Sequence, residues 1–425
     1  NVRWVMNITD IDDKTIRDSA LKSEHWLDAM GEQSADPLQN LRAFTDFYAA
    51  LFIDDISSLG IRRDHLLAMP RATEFIPQMQ DLIRRIVERG VAYVADGSVY
   101  FDLRSWRSMA AYGRLFAVDT DNFREGVRID ADEYERDSVS DFVLWKAQKD
   151  GEPAWDFALS VNGTEWNLRG RPGWHIECSA MGKELLGLPF DIHTGGVDLR
   201  FPHHEDEIAQ SEAGYGVDPV RMWCHNEFLE VEGKKMSKSL GNYFTLRDLV
   251  ARGCDPMDVR YTLLSGHYSS VFNFTFDGLS AGAKARARVQ EIIYDVWSAN
   301  GSTAYDVSPL RSAVFGALAD NLHTPRALGA LFGGLASLPA ANLDAVSRDE
   351  VLRFFTELNE VFAVWTIAER PPLEAVVIPD AVQRLASARW DAKQARDFAR
   401  ADALRAEIAA AGWVMKDRKD GWDLE

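Results

Sequence analysis

The spacing of apolar positions divides this chain into a mixed first part and an almost wholly helical remainder. Val2-Arg3-Trp4-Val5-Met6-Asn7-Ile8 is rich in β-branched and aromatic residues and predicts a short strand. Thr9-Asp10-Ile11-Asp12-Asp13 then offers several side-chain caps for a helix. Helical spacing covers Leu38 to Leu59 and Ala72 to Gly90, the second ending where a C′ glycine belongs. Val91-Ala92-Tyr93-Val94 and Ser98-Val99-Tyr100-Phe101 flank Ala95-Asp96-Gly97, which predicts a hairpin. From Thr120 to Ser140 the chain is acidic and poor in apolar residues and predicts a surface loop. Asp141-Phe142-Val143-Leu144-Trp145-Lys146 then resumes structure.

Phe190-Asp191-Ile192-His193 predicts a strand, and Thr194-Gly195-Gly196 a loop that lets backbone approach a ligand closely. Loops of this kind bind nucleotides at the carboxyl edge of a parallel sheet, although a lone Gly-Gly is a weak signal. Trp223 to Val231 predicts a further strand leading into a lysine-bearing loop. Thr245 caps a helix from Leu246 to Ala251, Asp255 to Leu264 is another, and helices dominate from Asp277 onward. Pro372 to Pro379 is a proline-bearing break and a candidate linker. Val382 to Ala411 alternates Arg and Asp along amphipathic helices, ordinarily a solvated face. Trp413-Val414-Met415 and Gly421-Trp422, separated by a charged turn, predict a terminal hairpin.

Composition narrows the class. At 425 residues the chain calls for about two to four domains, and 46% hydrophobic content supplies a substantial core for each. No apolar run is long enough to cross a bilayer and no signal-peptide pattern opens the chain. Cys178, Cys224 and Cys254 are odd in number and scattered, which argues for a reducing compartment, so the expectation is cytoplasmic. Forty-seven basic residues against 66 acidic give a net charge of −19, which excludes a uniform basic coat for nucleic acid. A local basic face remains open: Ala381 to Glu425 holds nine basic and eight acidic residues, so the excess acid lies in the body.

The candidate chemistry concentrates between Gly173 and Asn242, where five of the nine histidines fall: His175, His193, His203, His204 and His225. Pro202 suits the first turn of a helix, and in that helix His203 and Glu207 form an i,i+4 pair on one face. With a thiolate from Cys178 they make a mixed set of nitrogen, oxygen and sulfur donors that suits Zn²⁺. A His-His-Glu run at a helix start also fits a solvated polar turn, and a lone Cys a small buried hydrophobe. Spacing does not choose between them. Lys235-Met236-Ser237-Lys238-Ser239, before Gly241-Asn242, is equally compatible with a solvated lysine loop.

Taken together, three stretches resemble class I aminoacyl-tRNA synthetases and, in detail, the cysteinyl-tRNA synthetase family. They are Gly173-Trp-His-Ile-Glu-Cys-Ser, Phe201-Pro-His-His-Glu-Asp-Glu-Ile-Ala-Gln-Ser and Lys235-Met-Ser-Lys-Ser-Leu-Gly-Asn, in the family's order. The resemblance extends from Asn7-Ile-Thr-Asp-Ile-Asp-Asp-Lys14 to the C-terminal helices, where Arg400-Ala-Asp-Ala-Leu-Arg405 is similar to a family motif. It implies an α/β class I synthetase fold: a Rossmann-like parallel sheet over 1–245 with a small insertion near 15–165. A connecting helical region over 246–300, an anticodon-binding helical bundle over 301–375 and a small α+β tRNA- and anticodon-binding element over 380–425 would follow. The family also carries an earlier segment with a first strand, a His-Ile-Gly-His-type motif and one more zinc cysteine, and the expectation is that such a segment precedes Asn1.

For the site, the resemblance implies one zinc per chain on Cys178, His203 and Glu207, with the fourth protein ligand in that earlier segment. Lys235 and Lys238 are implied as catalytic charges on ATP, which is used with Mg²⁺. Lys238, His193, Gly195, Gly196 and Asp198 border the nucleotide, while Trp174, His175 and Thr9, with Asp10 beside it, border the amino-acid pocket. The implied partners are L-cysteine, ATP and tRNA(Cys), and no membrane, for a monomer that forms cysteinyl-adenylate and passes it to tRNA. A cysteine ligase acting on a small amino-sugar, and a non-catalytic tRNA-binding paralogue, are the competing expectations.

Overall fold

The computed structural model describes residues 2–21, 33–116, 123–129, 139–237, 240–372, 378–418 and 421–424. It divides into two compact units, Asn1–Ala368 and Glu369–Glu425. The first residues run extended, yet they do not form the expected strand. Val5 bridges Ala68 and Ile8 bridges Arg71 in parallel, as isolated pairs. Pro70 in the partner segment has no N–H to carry a ladder further, which limits the pairing.

Asp12 caps helix α1 (Asp13–Ser19) through a capping box with Thr15. Helix α2 (Pro37–Ser58) starts on Asp36 and Pro37, and α3 (Ile76–Glu88) buries Met79, Leu82, Ile83 and Ile86 along one stripe. Gly90 follows α3 with φ +79°, the left-handed stop read from the sequence. Strands β1 (Ala92–Ala95) and β2 (Ser98–Phe101) pair antiparallel across Asp96 and Gly97, whose φ of 51° and 79° make a primed turn. A short helix α4 (Leu103–Arg107) is capped by Asp102.

The acidic stretch expected as a loop contains a strand, β3 (Phe123–Ile129), which pairs in parallel with β4 (Val139–Ala147). Main-chain pairing with an existing strand needs little apolar content, so the composition of this stretch gave no sign of it. Residues 120–122 and 130–138 of the expected loop lie outside the described residues. Strands β5 (Trp155–Val161) and β6 (Thr164–Pro172) complete a six-stranded sheet, in which five strands run in the order β1-β2-β4-β6-β5 and β3 pairs with β4 off that path. Its buried face carries Phe101, Phe142, Trp145 and Phe157 against the apolar stripe of α3. The Phe101 and Phe142 rings stack at 4.8 Å.

The chain then enters helix α5 (Trp174–Leu186), strand β7 (Phe190–Gly196), helix α6 (His203–Tyr215) and strand β8 (Val220–Asn226). β7 and β8 are parallel, in the register His193 to Trp223 and Gly195 to His225. The expected Thr194–Gly196 loop is therefore the last part of β7, held by pairing with Cys224, His225 and Asn226. The strand expected from Trp223 to Val231 is two strands. The Glu227 N–H turns to the Tyr268 carbonyl at 2.8 Å, and β9 (Leu229–Val231) begins beyond it.

A tight turn at Glu232 and Gly233 joins β9 to β10 (Lys234–Lys235). Helices α7 (Leu246–Ala251) and α8 (Pro256–Leu264) start on Thr245 and Asp255, as the caps predicted. Strand β11 (Phe272–Phe274) runs parallel to β9. Helices α9 (Phe276–Trp297), α10 (Ser308–Ala319), α11 (Thr324–Leu335) and α12 (Ala345–Phe362) close over Val289, Val314, Leu331, Phe355 and Leu358.

In the second unit, α13 (Asp380–Gln394) and α14 (Phe398–Ala410) pack with the hairpin of β12 (Met415–Asp417) and β13 (Trp422–Leu424). Its core is Val382, Ala386, Ile408 and Met415. Among the described residues no helix is long and apolar enough to cross a membrane.

Candidate active site

Helix α5 begins hard against the sheet. A Cβ on Gly173 would come within 2.3 Å of the Val143 carbonyl oxygen, so only glycine allows this approach. The tight entry aims the first turns of α5, with His175 and Cys178, at helix α6. Pro202 stands immediately before the first helical residue of α6. One turn on, Glu207 faces His203, with Nε2 and Oε1 at 3.2 Å.

Cys178, His203 and Glu207 come together. Their ligating atoms all lie within 4.8 Å of one another, and His203 and Glu207 are buried. A second group, His193, His204 and Glu207, meets the same limit, so Glu207 is shared. His193 Nε2 lies 3.1 Å from Glu207 Oε2. Trp174 stacks on His203 at 4.4 Å, and His175 Nδ1 is 3.1 Å from His203 Nδ1.

The electrostatics follow from burial and these contacts. Burial pushes the Glu207 carboxyl up, but His193 and His203 outweigh it and hold the group well below the usual carboxylate range. Burial lowers His193, and the adjacent Glu207 more than restores it, so the net direction is upward. His204 is pushed down to about 3, chiefly by burial. Burial, then Glu207 and Glu177, raise the Cys178 thiol well above its ordinary value. A divalent cation reverses that last preference, because a coordinated thiol gives up its proton. A half-buried thiol, an imidazole and an ionised carboxylate within reach of one another fit Zn²⁺ by donor type and by distance.

Gly195 and Gly196 lie at the end of β7. A Cβ on Gly195 would come within 2.7 Å of His204, and one on Gly196 would collide with the Asp198 carboxylate. His204 Nδ1 is 2.8 Å from His225 Nε2. Lys235 is exposed, its ammonium 5.6 Å from the centre of the Phe228 ring. The loop beyond it is anchored rather than free at its base. The Ser237 N–H donates to Asn242 Oδ1 at 2.9 Å, Asn242 Nδ2 donates to the Lys235 carbonyl at 3.1 Å, and Met236 packs on the Val231, Leu249 and Phe274 cluster. Lys238 and Ser239 lie outside the described residues.

Thr9 accepts from Asn7 at 3.3 Å, and among the described residues no hydrogen bond joins it to the histidine cluster. Its neighbour Asp10 is buried and accepts from the Thr73 N–H and hydroxyl at 3.0 and 2.6 Å. Sequence reasoning gave no role to His204, Trp223 or His225, whose rings line this end of the cluster. Trp223 lies 4.9 Å from His193 and 4.8 Å from His204. The signal was available: residues two apart on β8 share a face, and the parallel register sets Trp223 and His225 beside His193 and Gly195.

Residues 1–284 match the family of tRNA synthetases class I (C), catalytic domain. The chain is 45% identical over 435 residues to a cysteine–tRNA ligase of Opitutus terrae, covering 100% of this chain and 85% of that protein. It is 40% identical to a cysteine–tRNA ligase of Solibacter usitatus, covering 98% of this chain and 85% of that one. Among solved structures, Mycobacterium tuberculosis methionyl-tRNA synthetase in complex with methionyl-adenylate has a TM-score of 0.53 at 14% identity, over 86% of this chain and 76% of that one. A putative arginyl-tRNA synthetase of Campylobacter jejuni gives 0.51 at 12% identity, over 85% and 83%. At such identities the structural likeness speaks for the fold alone, which is that of a class I synthetase.

Proposed function

The chain belongs to the cysteine–tRNA ligase family of class I tRNA synthetases, and on that premise we propose a two-step reaction at this site. ATP, taken with its Mg²⁺, and L-cysteine give cysteinyl-adenylate and pyrophosphate. The cysteinyl group then passes to the terminal ribose of tRNA(Cys), releasing AMP. The attacking carboxylate of cysteine is already nucleophilic, so the first step calls for alignment and charge stabilisation more than for a general base.

Lys235 and Lys238 supply point charges where negative charge accumulates on the departing pyrophosphate. His193, Gly195, Gly196 and Asp198 take the nucleotide. Cys178, His203 and Glu207 hold Zn²⁺, one per chain. When bound, it supplies a soft contact that takes a thiolate and passes over the hydroxyl of serine. Trp174 and His175 back the amino-acid pocket, and Thr9 borders it. The helices over 301–375 and the nearly charge-balanced element over 380–425 take the tRNA body. The enzyme works as a monomer in the cytoplasm.

One observation carries this reading: three different ligating groups from two helices converge on a single point beside a glycine-ended parallel strand. Metal analysis combined with cysteine-dependent ATP–pyrophosphate exchange and tRNA(Cys) charging tests it. About one zinc per chain and exchange with cysteine but not serine are expected. Active protein without zinc would remove the metal from the scheme, and exchange without charging would remove the tRNA step. Lys238→Ala should slow single-turnover adenylate formation a hundredfold to a thousandfold, about 3 to 4 kcal/mol, with cysteine binding nearly unchanged. Equal rates would mean that the lysine pentapeptide is only a surface loop.

A further inference from the structure

Helix α6 is buried on two sides. One carries His203 and Glu207; the other carries Glu205 and Asp206, to which the reaction above gives no role. Glu205, 1% exposed, accepts the main-chain N–H groups of Gly113 at 3.0 Å, of Phe116 at 3.3 Å and of Leu115. Asp206 accepts the Tyr112 hydroxyl at 2.6 Å on one oxygen. Its other oxygen stands 3.5 Å from His175 Nδ1. That nitrogen is 3.1 Å from His203 Nδ1, and His203 presents its remaining nitrogen to Glu207. Close contacts therefore lead from Tyr112, 94 positions before Asp206 in the chain, through Asp206 and the His175 ring to the imidazole of the candidate zinc set.

We infer that Tyr112 is a positioning residue for His203: its hydroxyl fixes Asp206, Asp206 anchors His175 at Nδ1, and the His175 ring so held packs against the His203 ring at 4.9 Å and limits its rotation. This rests on the zinc reading proposed above. Partners outside the ligand set hold a ligating imidazole in its orientation, and here the His175 ring is that partner, itself held by Asp206. A phenol suits this place. It satisfies one oxygen of a buried carboxylate without cancelling its charge, which a lysine or arginine would do. Glu205 returns the phenol to the same point by gripping three N–H groups of its segment. Phe116 adds to the grip, packing over Phe201 at 5.5 Å.

Tyr112→Phe in the full chain keeps the ring and removes only the hydroxyl. The zinc dissociation constant, measured by chelator competition, should rise about tenfold to a hundredfold. The KM for cysteine should rise with it while the KM for ATP stays put. Tyr93→Phe is the control: it deletes a hydroxyl bonded to Asp141 at 2.8 Å in the same sheet region and should leave zinc affinity alone. Unchanged zinc affinity in Tyr112→Phe, or an equal loss in Tyr93→Phe, overturns the inference and leaves the zinc reading standing. Wild-type protein that binds no zinc overturns both.

Discussion

In helix α6, Glu205 and Glu207 are buried with no lysine or arginine paired to them among the described residues. In the C-terminal unit, Asp417 is gripped by two cations: Arg389 Nη2 at 3.0 Å and Lys393 Nζ at 2.7 Å. Glu205 is held by main-chain N–H groups and Glu207 by imidazoles, so neither has its negative charge cancelled by a permanently charged side chain. The second arrangement cancels it with groups that cannot leave. A carboxylate held by main-chain N–H groups or by imidazoles that can give up a proton can still attract a mobile cation, whereas one locked to a guanidinium acts as a structural ion pair.

The sharpest way to break this contrast is Glu207→Gln, which keeps the shape and removes the charge. Zinc affinity, followed by chelator competition, should fall by more than about a hundredfold, beyond what outlying partners cost. Undiminished affinity would mean that the α6 carboxylate is no more available than Asp417.

Asp417→Asn is the reciprocal change and should leave zinc binding untouched. It deprives Arg389, whose side chain is 5% exposed, of its countercharge. The expected loss is about 2 kcal/mol in the unfolding of the C-terminal unit, the scale of a hydrogen bond to a charged group. A loss of zinc instead of stability would reverse the assignment.

The smallest effect is on acid stability. The hydrogen bond from Arg389, and then Lys393, outweigh burial and hold the Asp417 carboxyl far below the usual range. Its folded pKa is thus depressed, and the unfolded chain takes up the proton first. The stabilisation is fully present above the unfolded value, about 3.9, and is lost as pH falls below it. Unfolding measured down from about pH 5 should weaken more steeply in the wild type than in Asp417→Asn. Parallel curves would show that the ion pair has no part in it.

What could be read without a structure was local. The Asp96-Gly97 turn, the caps at Thr245 and Asp255 and the pairing of His203 with Glu207 each depend on residues within a few positions of one another. The features that escaped depend on distant partners. Strand β3 exists because β4 offers it an edge, and Thr194–Gly196 is strand because β8 arrives alongside. Glu205 and Asp206 looked like solvated acids at a helix start until the segment from Tyr112 to Phe116 was seen to cover them. Cys178 could be either a ligand or a small hydrophobe on spacing alone, and only the approach of α5 to α6 brings its sulfur to His203.

The contact at Gly173 bears on how this protein can be rebuilt. The six-stranded sheet looks like a module to be lengthened or exchanged, and the turn at Gly163 has open space around it. The junction with α5 has none, since the Val143 carbonyl fills the place of a side chain at Gly173. A graft that kept every loop but brought alanine to that junction would push the start of α5 off the sheet, and Cys178, little more than a turn further on, would travel with it.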